Sequence, residues 1–93
     1  MATLIVIGRL TTDAKKNKDW TNFTVAENKT IGDEKITNFF NCKSKNLSDA
    51  QFEYLKKGKR VEILGDINFE TYEKEGEIKY THSVYIYKID FVT

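Results

Sequence analysis

The residues best suited to chemistry lie in Thr37 to Lys45, TNFFNCKSK. In an extended strand successive side chains point to opposite faces, so the adjacent Phe39 and Phe40 cannot enter the same core. One face carries Ile36, Asn38, Phe40, Cys42 and Ser44, and the other carries Thr37, Phe39, Asn41, Lys43 and Lys45. A large aromatic in a polar, basic row has the chemistry of a stacking platform. Its ring accepts any nucleobase, at about 1 to 3 kcal/mol per base, while lysines neutralise phosphates without reading sequence. The competing reading is that Phe39 fills a second small core or a subunit contact, the commoner fate of a lone outward aromatic. Tyr72, just before Lys74, repeats the pattern on a later strand and shifts the balance toward stacking.

Other chemistries find little support. His82 has no Ser, Cys, Asp or Glu at catalytic spacing, so no enzyme is predicted. Cys42 is the single cysteine and, with only one histidine, rules out an internal disulfide and leaves too few soft ligands for structural zinc. It shares a face with Ile36 and Phe40 and reads as a buried small hydrophobe. The acids of Asp33-Glu34 and Glu73 to Glu77 fall in turns without calcium-loop spacing, and no cofactor is called for. The cluster Lys15, Lys16, Lys18 reads as a solvated loop within reach of phosphate.

At 93 residues, 40% apolar and 31% charged, the chain is one small soluble domain, residues 1–93. No run of eighteen apolar residues occurs, and MATLIVIGRL lacks a signal peptide's basic start and cleavage site, which predicts a cytoplasmic location. The net charge of +1 hides a division: between Val61 and Glu77 six acids face only Lys74, so that segment is −5 and the remainder +6. A polyanion would meet the remainder.

The elements that must position these residues are mostly strands. Thr3 to Leu10 is apolar on both faces, with Leu4, Val6 and Leu10 alternating with Ile5, Ile7 and Arg9, which predicts a strand buried on both sides or covered by another subunit. The polar loop TTDAKKNKD follows. Trp20 to Asn28 is a second strand, with Phe23 and Val25 on one face and Trp20, Asn22 and Thr24 on the other. Because strand ends are poorly registered, Trp20 is assigned to core or interface packing; Tyr80, Tyr85 and Tyr87 stay unassigned, since a bulge would exchange their faces. Ile36 to Lys45 is the third strand.

A helix starts at Ser48, which forms the S-x-x-Q capping box with Gln51 while Leu47 and Phe52 occupy staple positions. Leu55 continues its apolar stripe, Lys56 and Lys57 suit its carboxyl end, and Gly58 is the expected left-handed cap after about two to three turns. From Arg60 to Tyr72, Val61, Ile63, Ile67 and Phe69 are expected inward and Glu62, Asp66, Asn68, Glu70 and Tyr72 outward, with Gly65 marking a bulge or bend. A turn around Gly76 leads to a last strand through Val92. Three strands, a short helix and two strands is the order of the all-β, five-stranded antiparallel Greek-key OB barrel, whose second and third strands bind oligonucleotides or oligosaccharides; a small sandwich would share the pattern.

In VIGRLTTD (Val6 to Asp13), NFTVA (Asn22 to Ala26), FFNC (Phe39 to Cys42) and YLKKGKRVEILGDI (Tyr54 to Ile67), followed by Tyr72, the chain resembles the bacterial and phage single-stranded DNA-binding proteins, the SSB family. The resemblance covers nearly all 93 residues and implies an OB barrel that assembles into homo-oligomers. It also implies that Phe39 and Tyr72 stack on bases and that Arg9, Lys43 and Lys79 lie near the DNA path. The family often has a further aromatic where this chain has Lys45, and another near Lys29 to Gly32, so fewer stacking partners imply weaker or shorter-footprint binding. The acidic-tipped tail of cellular members has no counterpart before Thr93, so the chain resembles a phage or mobile-element form, a truncated member, or the related primosomal replication protein B.

The expected function is therefore binding of single-stranded DNA with little sequence preference, by an oligomer of two or four chains. Phe39 and Tyr72 would stack beside Asn41, and Arg9, Lys43, Lys45, Lys74 and Lys79 would pair phosphates. The alternative is a protein-interaction or assembly module of a replication complex, favoured by the −5 segment. An oligosaccharide-binding domain ranks third, because Lys43 and Lys45 have no duty toward neutral sugars.

Overall fold

The computed structural model describes residues 2–45 and 47–92. Alternating apolar residues commit most of them to β1 (Ala2–Leu10), β2 (Lys15–Asn17), β3 (Trp20–Ile31), β4 (Glu34–Lys45), β5 (Arg60–Lys74) and β6 (Glu77–Phe91), with α1 (Asp49–Tyr54) between β4 and β5. The sheet runs β1-β5-β6-β4-β3-β2, and β1 returns to β3 through Arg9↔Ala26 and Leu10↔Val25. Five long strands thus close into the OB barrel with its single short helix. Every pair is antiparallel except β4 with β6, which meet in parallel at Cys42↔Val84 and Lys43↔Tyr85. Among the described residues no helix is long and apolar enough to cross a membrane.

The core takes the inward residues of each long strand: Val6 and Leu10, Phe23 and Val25, Cys42, Val61 and Ile63, and Val84. Full burial of such a side chain stabilises the fold by roughly 1.5 to 3 kcal/mol. The capping box forms, Gln51 N donating to Ser48 Oγ at 3.1 Å and Ser48 N to Gln51 Oε1 at 3.0 Å. Leu47 and Phe52, at the staple positions, both pack against the core. The helix ends earlier than expected. Leu55 is drawn wholly into the core as C-cap, and the left-handed Gly58 (φ 86°) shapes the turn into β5 instead.

Where β1 crosses β3 the backbones approach closely, and a Cβ on Gly8 would lie 2.3 Å from the Ala26 carbonyl oxygen. Gly65 is also tight: a Cβ there would lie 2.7 Å from the Tyr85 carbonyl oxygen. At this point β6 bulges: Leu64 pairs with Lys88 and Gly65 with Ile86, leaving Tyr87 as the extra residue. The bend expected at Gly65 is present.

Two expectations are corrected, and a third is narrowed to one of its alternatives. The loop TTDAKKNKD contains β2, whose exposed residues pair with Trp20 to Asn22 around a turn with Lys18 at φ 57°; its polar sequence carries no strand pattern. Phe69 lies on the inner-face row of β5 but is 78% exposed rather than buried, because the β5–β6 hairpin runs past the barrel and no described residue covers that row there. Of the two apolar faces of β1, only that of Val6 and Leu10 is buried within this chain; Ile5 and Ile7 are exposed, so burial on both sides by this chain alone is excluded and cover by another subunit is the alternative left.

Candidate nucleic-acid interface

In the β3–β4 hairpin, Trp20 faces Lys45, Asn22 faces Lys43, Thr24 faces Asn41 and Ala26 faces Phe39. Phe23 and Val25 take the alternate positions and fill the core, so this row points outward. Phe39, Asn41, Lys43 and Lys45 therefore line one surface for about 20 Å, at roughly 3.3 Å per residue. Arg9, opposite Ala26, extends the Phe39 row onto β1, and Tyr85 extends the Lys43 row onto β6.

The Phe39 ring is 57% exposed. Asn41 is held twice: its backbone N–H donates to His82 Nε2 at 3.1 Å, and its Oδ1 accepts from Thr24 Oγ1 at 3.4 Å. The single histidine thus has a structural task, tying β4 to β6 where their parallel ladder ends. Among the described residues Lys18, Lys43 and Lys45 form no ion pair, whereas Lys16 lies 3.7 Å from Asp49. Arg9 Nη1 donates to the Gly58 carbonyl at 2.9 Å, and among the described residues its other side-chain donors have no partner. Behind this face, burial pushes the Cys42 thiol up to about 12, which keeps it protonated.

Trp20 is the residue that sequence reasoning set aside. It does not enter the core of this chain: it is 36% exposed on the basic face. It meets Tyr85 edge-on at 5.8 Å, and Lys45 Nζ lies 5.9 Å from its ring centre. Its alternation with Asn22 and Thr24 was the signal that could have found it. An aromatic thus stands directly across from Lys45, the position where the resemblance implies one. Trp20, Tyr85, Asn17, Lys18, Asn22 and Lys43 line an open depression of about 510 Å³.

The remaining predicted residues stand apart. Tyr72 faces Lys79 and Lys74 faces Glu77 on the distal β5–β6 hairpin, about 20 Å beyond the row of Tyr85 and Asp66. Tyr72 is 50% exposed, and Lys79 Nζ is held by Glu77 Oε2 at 2.8 Å. The structure therefore gathers Arg9, Phe39, Asn41, Lys43 and Lys45 on one face and places Tyr72, Lys74 and Lys79 on another arm.

The profile of the Single-strand binding protein family matches residues 1–92. A single-stranded DNA-binding protein from Staphylococcus epidermidis (strain ATCC 12228 / FDA PCI 1200) is 28% identical over 98 residues, 97% of this chain and 75% of that protein. Among solved structures, the Plasmodium falciparum SSB in complex with ssDNA aligns with a TM-score of 0.83 at 19% identity, covering 100% of this chain and 96% of that one. The small single-stranded DNA-binding protein from Streptomyces coelicolor aligns at 0.77 and 17% identity, covering 98% and 94%. These structures share the barrel, and the profile spans all but the final residue: the chain belongs to the single-strand binding protein family.

Proposed function

We propose that this protein binds single-stranded DNA with little sequence preference, protecting it during replication, recombination or repair. The observation that carries the reading is the alignment of exposed Phe39 with Asn41, Lys43 and Lys45 on one outward face whose lysines have no acidic partner among the described residues. Bases stack on Phe39 and, on the second arm, on Tyr72. Arg9, Lys43, Lys45, Lys74 and Lys79 pair with phosphates, contacts that hold a strand without reading it. The relatives named as single-stranded DNA-binding proteins support the same reading.

The active form is a homo-oligomer. Residues Ala2 to Ile7 of β1 pair only with β5, leaving one edge of the strand open beside exposed Ile5 and Ile7. An open edge with apolar side chains is suited to a second copy of itself in a two-fold contact.

A second reading, a protein-interaction module, is favoured by the distal hairpin. Its face of exposed Phe69, Ile78 and Tyr80 stands among Glu70, Glu73 and Glu75, acids with no ion pair among the described residues, which repel phosphate. Changing Phe39 and Tyr72 together to Ala separates the readings. Stacking requires that oligo-dT affinity collapse while the mass by light scattering is unchanged; a dissociated oligomer with undiminished affinity rejects it in favour of an interface.

A further inference from the structure

We propose that Trp20 and Tyr85 form a second nucleobase subsite, in which Asn22 contributes a hydrogen bond to the base edge. The proposal rests on the single-stranded DNA reading above and extends it to residues outside the Phe39 and Tyr72 pair.

The geometry builds an arch. Trp20 belongs to β3 and Tyr85 to β6, with β4 between them, so their strands lie about 9.5 Å apart. Their ring centres are only 5.8 Å apart, so both side chains lean over β4 above Lys43. Beside the arch lies the open depression that Lys18 and Lys43 rim. A flat ring flanked by cations is what one nucleotide requires: the base stacks on the indole, and Lys45, now over that ring, swings to the phosphate.

Asn22 supplies the independent observation. Its Oδ1 is buried without any hydrogen-bond partner, the only such side-chain atom among the described residues. An unsatisfied buried acceptor destabilises the fold and calls for an explanation. Asn22 lines this depression, where a turn of its amide lets Oδ1 accept an N–H from a base. Lys18 reaches the rim from the two-residue turn between β2 and β3, whose geometry sets its left-handed φ of 57°.

Trp20 is the only tryptophan, so its emission reports on this subsite alone. The intact protein is titrated with end-labelled oligo-dT while anisotropy follows all binding and tryptophan emission follows the subsite. The proposal requires quenching that saturates together with anisotropy and persists in Phe39→Ala. Anisotropy that rises with unchanged emission overturns the subsite and leaves DNA binding standing; no rise in anisotropy overturns both. Free dTMP that quenches as effectively as the oligomer, nucleotide for nucleotide, makes the occupant a mononucleotide and also overturns it. Asn22→Leu should weaken oligo-dT binding about ten-fold while thermal stability holds or rises, since the unpaired acceptor is gone. Lower stability with unchanged affinity makes Asn22 structural and refutes its role.

Discussion

Replacing Lys43 and Lys45 together by Ala removes two cations that have no acidic partner among the described residues on the proposed DNA face. Each phosphate neutralised on a single strand contributes about 0.7 to the slope of log affinity against log salt, so losing two contacts flattens the slope by about 1.4. The electrostatic contribution vanishes near 1 M salt, which makes the loss about 1.8 decades, or about 60-fold, at roughly 50 mM. At roughly 0.5 M the same change costs only about 0.4 decades, or about three-fold. Lys79→Ala is the internal contrast. Its ammonium is already held by Glu77 at 2.8 Å, so its effect on the slope should be well under half that of either lysine on β4. The assay is anisotropy of labelled oligo-dT across a salt series, with circular dichroism to verify folding. Parallel lines for wild type and the double variant, separated by one offset at every salt concentration, refute the assignment of Lys43 and Lys45 to phosphates. A slope change in Lys79→Ala as large as that of one β4 lysine would instead show that the exposed Glu77 pair does not keep its ammonium from phosphate.

Two further predictions concern the barrel itself. Burial holds the Cys42 thiol at about 12 against its ordinary 9.0, so the unfolded chain loses this proton first as pH rises. Stability is therefore complete below pH 9.0 and falls toward about 12, by about 1.4 kcal/mol per pH unit. Urea unfolding of wild type and Cys42→Ala isolates this dependence, and a stability difference that stays constant across the window contradicts it. Gly8→Ala places a methyl 2.3 Å from the Ala26 carbonyl oxygen at the seam of β1 and β3. A loss of about 2 to 3 kcal/mol is expected from denaturant midpoints; a change under about 0.5 kcal/mol would mean that the seam yields freely.

What was legible in the sequence is what local periodicity and capping chemistry determine. The faces of Phe39 and Phe40, the box of Ser48 and Gln51 and the bend at Gly65 all depend on neighbours within a few residues. The errors arose where a residue's state depends on distant parts of the chain. Alternation correctly gave Phe69 the inner face but carried no information on where the barrel stops covering it. Helix chemistry continued past Tyr54, yet the core claimed Leu55 and ended the helix there. Trp20 followed its strand's alternation after all, because pairing with Lys45 extends the ladder to the strand's first residue. The separation of Tyr72, Lys74 and Lys79 from the Phe39 face follows from the divergence of two hairpins, which no single stretch of sequence records.

The extra residue in β6 also sets the phase of everything after it. Before Tyr87 the even positions Val84 and Ile86 turn inward; beyond it the odd positions Ile89 and Phe91 do. Lys88 and Asp90, which an unbroken rhythm would drive into the hydrocarbon interior, remain in water 3.7 Å apart. Loss of one residue here would invert the strand's remaining frame and bury two charges, whereas a two-residue change would preserve its parity. Natural and engineered variation in the length of this strand should therefore come in pairs.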